Sequence, residues 1–198
     1  MKKIHFITAI MLIAFAGFLF SAYKFKGKVD VKGWFLAGNS PASYEIGVEN
    51  NAERGGKVAY LKSIKQSTGF GTIMQVFVPK DYLGKRVKLT GFIKSNNVTD
   101  WAGMWFRVDG DKGKVIGFDN MQSRPVKGTT AWRKYETVLD VPNNSLNISY
   151  GVLLAGEGNV WLDDLTFTIV GKSVPVTVLG TKPEPTKPTN NNFESSGK

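Results

Sequence analysis

Between Asp30 and Val170 the chain never sustains a helical period. Apolar and polar residues alternate in short runs, and Gly, Asn, Asp and Pro punctuate them. A period of two with frequent breaks marks strands joined by tight turns. The alternating runs are 44–48, 57–64, 70–78, 86–95, 102–109, 114–119, 133–141, 147–154 and 159–170. Strands at this spacing predict an all-β fold, a two-sheet antiparallel sandwich of the jelly-roll type. "VDGDKGKVI" carries a hairpin signal. Its Asp109, Asp111 and Gly113 echo a calcium loop, but Asn120 stands where the twelfth-position acid belongs, so it is read as a turn.

The ends differ in kind. "MKKIHFITAIMLIAFAGFLFSAY" sets two lysines before an apolar run from Ile4 to about Ala22. That length approaches the roughly 20 helical residues that span a bilayer. It predicts an N-terminal membrane helix over 1–28, an uncleaved signal-anchor in preference to a cleaved signal peptide. The expected arrangement is a single-pass protein of the cell membrane with its domain outside the cytoplasm, or a secreted one if the segment is cleaved. Residues 173–198, rich in Pro, Lys, Thr and Asn, predict a disordered tail. The domain is then 29–172.

Chemistry is restricted. There is no Cys, and the one histidine, His5, lies in the apolar segment. Thiolate and imidazole catalysis are closed to the domain, and a metal would need oxygen ligands. No cofactor and no enzymatic activity are expected. The net charge of +10 is concentrated outside the domain. Residues 30–171 hold 17 basic and 14 acidic side chains, so no nucleic acid is expected as a partner. The flanking lysines suit anionic lipid or a cell-wall polymer.

Strand alternation separates faces. In "WAGMWFRV", Ala102, Met104, Phe106 and Val108 form a core face. Trp101, Gly103, Trp105 and Arg107 share the other, which resembles an aromatic platform with a hydrogen-bonding end. Such a surface suits a sugar, whose apolar face stacks on a ring while polar groups take the hydroxyls. Packing under a loop is the alternative. Gln75, on the side of Ile73 and Phe77, is a further polar candidate. So are Asp119, Asn120 and Arg124 of "FDNMQSRP", which could equally build a turn.

"VWLDDLTF" poses a separate question. As adjacent strand residues, Asp163 and Asp164 point to opposite faces. One must be buried, and the pair cannot act jointly on a substrate. The buried one is expected to tie the strand to loop backbone groups or to bind a structural calcium, with Asp164 as the candidate ligand.

The segment "GTTAWRKYETVLDVPNNSLNISYGVLLAGEGNVWLDDLTF" resembles the C-terminal half of galactose-binding-like jelly-roll domains, which include many carbohydrate-binding modules. "GWFLAGNSPASYEIGVE", "GFIKS", "WAGMWFRVDG", "FDNMQSRPVKGTTAW" and "GVLLAGEGNVWLDDL" resemble, more narrowly, a jelly-roll domain of unsettled role. That domain is found appended to bacterial transcriptional regulators and in exported bacterial proteins. The likeness spans about Gly33 to Val170. It implies the sandwich fold and a calcium near the chain ends. The opening "DVKGWFLAG" departs from the acidic N-F-E type start that completes that calcium site, although "NNNFESSG" near the C-terminus is similar to it. The expected function is a membrane-tethered, non-catalytic module binding a glycan or other envelope ligand. The alternative is a structural, sensor or protein-interaction domain whose protein partner is unknown.

Overall fold

The computed structural model describes residues 31–177. The membrane helix expected over 1–28 and the tail from 178 onward lie outside these residues. No helix among the described residues is long and apolar enough to cross a membrane.

The described chain is all-β. Its nine strands are β1 (Phe35–Gly38), β2 (Tyr44–Asn51), β3 (Gly56–Ser63), β4 (Phe70–Phe77), β5 (Lys85–Asp109), β6 (Val115–Asp119), β7 (Val126–Val141), β8 (Asn147–Ala155) and β9 (Asn159–Val170). All pairing is antiparallel. The order β1-β4-β8-β5-β9-β3-β2 runs through β5, with β6 and β7 also paired to β5. The first half of β5 lies between β7 and β9, and the second half pairs with β8 and β6.

A single 25-residue strand thus serves both layers. The runs expected separately over 86–95 and 102–109 are continuous through "SNNVTD". Register shifts between Ile93 and Ala102, with Asn97 in left-handed backbone (φ 52°), turn the corner without ending the ladder. Ser95 Oγ on Thr130 Oγ1 (2.9 Å) and Asn97 N–H on Thr129 Oγ1 (3.0 Å) pin this corner to β7. β7 accordingly begins at Val126, well before 133. β1 was not expected, because four residues ending in glycine carry little pattern.

The core lies between the layers. Ile73, Met104, Phe106, Ile148, Val152 and Leu154 from one side meet Leu61, Leu89, Ile93, Leu139, Val160 and Leu162 from the other, all at most 2% exposed. Burying each such side chain contributes roughly 1.5–3 kcal/mol. Phe77, Tyr82, Phe106, Tyr150 and Phe167 meet edge-to-face near one end of the sandwich.

The segment after β9 stays attached. Thr177 N–H donates to Val138 O (2.9 Å), and Val138 N–H donates to Thr177 Oγ1 (2.7 Å). Arg86 donates to the carbonyls of Lys172 and Val174 and grips Asp140 through two 2.9 Å bonds, while Lys172 adds a third at 2.8 Å. The Arg86 guanidinium, with help from Lys172, holds the Asp140 carboxyl down at about 2. An unfolded aspartate titrates near 3.9, so this ion pair stabilises the fold above about pH 4 and fades as pH falls toward 2. Because the Asp140 side chain is 42% exposed, solvent screening limits the contribution to about 1 kcal/mol. Asp140→Asn should lower stability by that amount near neutral pH and by much less near pH 2, as urea midpoints at the two pH values would show.

Candidate functional site

The layer β1-β4-β8-β5-β6 has a second, outward face. Register brings Phe35 beside Met74, Thr72 beside Leu153, Gly151 beside Trp105 and Arg107 beside Phe118. Met74, Trp105 and Leu153 are buried at its centre, with Phe35, Ala37, Phe70, Trp101 and Phe118 partly buried around them. Trp101, Trp105 and Arg107 therefore share a face, as their alternation requires.

At its centre that face is packed, the alternative to an open platform. Trp105 is only 6% exposed. Its cross-strand neighbour on β8 is Gly151, which has no side chain. The indole reaches past β8 and donates its N–H to Thr72 Oγ1 on β4 (2.7 Å). Thr72 in turn donates to Val152 O (2.9 Å). With its ring packed and its N–H satisfied, Trp105 is a floor. The aromatic edges that remain partly accessible on this face include Trp101 and Phe118. Arg107 Nε holds Asp109 at 3.0 Å, and both side chains are largely buried. Phe118, Phe35 and Phe70 were missed from sequence. The alternation in "VIGFD" would have found Phe118 once β6 was aligned on β5.

The polar candidates separate. Gln75 projects to the inner side of β4 and accepts the Tyr150 hydroxyl (2.5 Å), so it cannot join Trp101 and Trp105 across the sheet. Asp119, 0% exposed, accepts from Arg124 (2.6 and 3.1 Å) and from Met121 N–H (2.8 Å). Asn120 Oδ1 accepts Gln122 N–H (3.1 Å). These bonds shape the loop between β6 and β7. The Asn120 carbonyl lies 2.7 Å from where a Cβ on Gly103 would stand, so this loop walls the Trp101 face. Asp119, Asn120 and Arg124 thus position the wall.

The two aspartates also depart from expectation. Between Thr90 and Phe92 of β5 the register on β9 shifts from Thr166 to Asp163. The extra residue is a bulge, with Asp164 in left-handed backbone at φ 52°. The bulge cancels the alternation, and both carboxylates converge on Arg54. Asp163 accepts from Nε at 2.8 Å, and Asp164 accepts from Nη2. Neither is buried against loop backbone groups: the side chains are 21% and 66% exposed. Arg54 comes from the short 3-10 turn Ala52–Arg54, capped by the Asn51 side chain, and lies 4.0 Å over the Phe92 ring. Asp164 therefore serves an arginine; a tie to loop backbone groups and a structural calcium were the two alternatives for the buried carboxylate. Among the described residues, no three His, Cys, Asp or Glu side chains gather as a metal site.

No family model matches the chain. An uncharacterized HTH-type transcriptional regulator of Bacillus subtilis (strain 168), YbfP, is 47% identical over 152 residues, covering 75% of this chain and 52% of that protein. The chain thus spans about half the length of that relative. Among solved structures, the C-terminal family 22 carbohydrate binding module of Clostridium thermocellum Xyn10B superposes with a TM-score of 0.53 at 13% identity. It covers 72% of this chain and 89% of the module. The enzymatically active domain of bacteriophage CBA120 tailspike protein 4 gives 0.54 at 13% identity, over 71% of this chain and 20% of that one. The described residues therefore have the β-sandwich fold of carbohydrate-binding modules.

Proposed function

We propose that this is a non-catalytic glycan-binding module, held outside the cytoplasm at the membrane by its N-terminal segment. The outward face of β1-β4-β8-β5-β6 would contact a glycan or cell-envelope polymer. One observation carries the reading: on a rigid sheet, Trp101 and Phe118 stand partly accessible around the buried Trp105 floor, beside a polar loop wall. Aromatic edges over a packed base, with a few placed polar groups, are what a sugar chain needs. The shared fold supports it. The acid pair that hydrolysis would require is also missing from the obvious place, since Asp163 and Asp164 are both engaged by Arg54.

A structural, sensor or protein-interaction domain is the second reading. The burial of Trp105 favours it, and so does the relative named as a transcriptional regulator.

The test is glycan-array and cell-wall pull-down binding by the chain, wild type beside Trp101→Ala. Saturable binding that weakens at least tenfold in Trp101→Ala, with an unchanged circular dichroism spectrum, is the expected result. Absence of binding to every envelope polymer would select the second reading. Trp105→Ala is a poor probe, because removing a buried indole costs about 3–5 kcal/mol of stability by itself.

A further inference from the structure

The sandwich has a cleft on its inner side, distinct from the outward face. It measures about 350 Å³ and is bounded by the turn before β1 (Val31, Lys32, Trp34), the inner faces of β2, β3, β4 and β8, and the β9 bulge. This is within the size range of small-molecule sites.

Its lining is unusual for a core. Gln75 and Tyr150 are direct cross-strand partners at inward positions, where neighbours on the same strands are Ile73, Val152 and Ile148. The Tyr150 hydroxyl donates to Gln75 Oε1, which fixes the amide orientation and sets the NH2 against the turn at Gly33. Among the described residues that NH2 has no hydrogen-bond partner. Burial raises the Tyr150 pKa, so the phenol stays protonated and holds this arrangement. Opposite lie Asp163 and Asp164, each with Oδ2 on Arg54 and, among the described residues, no hydrogen bond at Oδ1. Arg54 balances one of the two negative charges, so the pair offers hydrogen-bond acceptors while keeping one net negative charge. Lys32, exposed at the rim, adds a donor. Trp34, edge-on to Tyr150 at 5.3 Å, gives an aromatic wall, and Val48, Ala59 and Leu162 close the apolar floor.

Donors and acceptors set around one aromatic wall match a molecule whose hydroxyls both donate and accept and whose C–H face is apolar. We propose that this cleft binds a free mono- or disaccharide-sized polyol, with Gln75 as the central hydrogen-bonding residue and Trp34 as the stacking wall. The site is independent of the outward face, so it stands or falls separately from the polymer-binding reading.

The five tryptophans give separate indole N–H signals in nitrogen-15 spectra, assignable by single Trp→Phe replacements. The full chain is titrated with D-xylose, D-galactose, D-glucose, N-acetyl-D-glucosamine, xylobiose and lactose up to about 10 mM, enough to see millimolar dissociation constants. At least one sugar should shift the Trp34 signal saturably. Gln75→Leu should weaken that binding at least tenfold, and Lys32→Ala several-fold. Lys32 is exposed, so its replacement decides the matter if Gln75→Leu unfolds. A Trp34 signal unmoved by every sugar overturns the proposal. So does a shift of unchanged affinity in both variants. Polymer binding at the outward face is read on Trp101, which distinguishes failure at one site from failure at the other.

Discussion

Gly151→Ala should unfold the domain or come close to it. Gly151 sits in the middle of β8, paired with Met74 on one side and Trp105 on the other. A Cβ there would lie 2.0 Å from the Ile73 carbonyl oxygen and 2.9 Å from Met74 Cα. Both are backbone atoms of β4, so no side-chain rotation relieves the clash. β4 would have to move away from β8 along an eight-residue ladder, taking Thr72 from the Trp105 indole. Overpacking by one methyl usually costs about 1–3 kcal/mol, and a rigid backbone obstacle places this change above about 4 kcal/mol. A domain of ordinary stability has roughly 5–15 kcal/mol in total. The check is the urea midpoint beside that of Gly56→Ala, where nothing lies within 4 Å of the new Cβ. Gly56→Ala should stay within about 0.5 kcal/mol of wild type. If the two variants matched, the tight approach of β4 to β8 would be wrong.

The same glycine shows what sequence can and cannot tell. Alternation in "WAGMWFRV" assigned the two faces of β5 correctly, because side-chain direction in a strand is a local property. Whether Trp105 would be open or covered depended on the residue across from it in space. That residue is Gly151, 46 positions later in the numbering. Its lack of a side chain lets β4 approach β8 closely, which sets Thr72 within reach of the indole, and no local pattern encodes that pairing. Gln75 was placed on the right side of β4 for the same local reason. Its partner Tyr150, and the cleft they face, depend on β4 lying beside β8. The bulge at Asp164 was hidden for another reason. A period-two reading assumes an unbroken strand, and one extra residue reverses every later inference about facing. Trp161, Leu162 and Asp163 keep the register, and the break comes at Asp164.

Arg54→Met should cost about 3 kcal/mol, most of it through Asp163. Two adjacent carboxylates on one side of a bulge repel each other, and the left-handed backbone at Asp164 adds a conformational cost of about 1 kcal/mol. Arg54 offsets both by holding one oxygen of each through different nitrogens. Exposed ion pairs contribute little, but Arg54 and Asp163 are only 18% and 21% exposed, and the guanidinium lies 4.0 Å over Phe92, which shields it further. Asp164, at 66% exposure, supplies the smaller share. Methionine keeps contact with the Phe92 ring and removes only the charged fork, so the loss reports the clamp and not a cavity. Lysine should recover less than half, since a point charge cannot serve both carboxylates in this geometry. In a double-mutant cycle with Asp163→Asn, the coupling energy should exceed about 1.5 kcal/mol, and added salt should reduce it only partly. A coupling below about 0.5 kcal/mol would mean that the bulge holds itself and the arginine merely decorates it. Because Asp163 and Asp164 also wall the inner cleft, Arg54→Met should weaken any sugar titration at Trp34 while leaving the outward face at Trp101 unchanged.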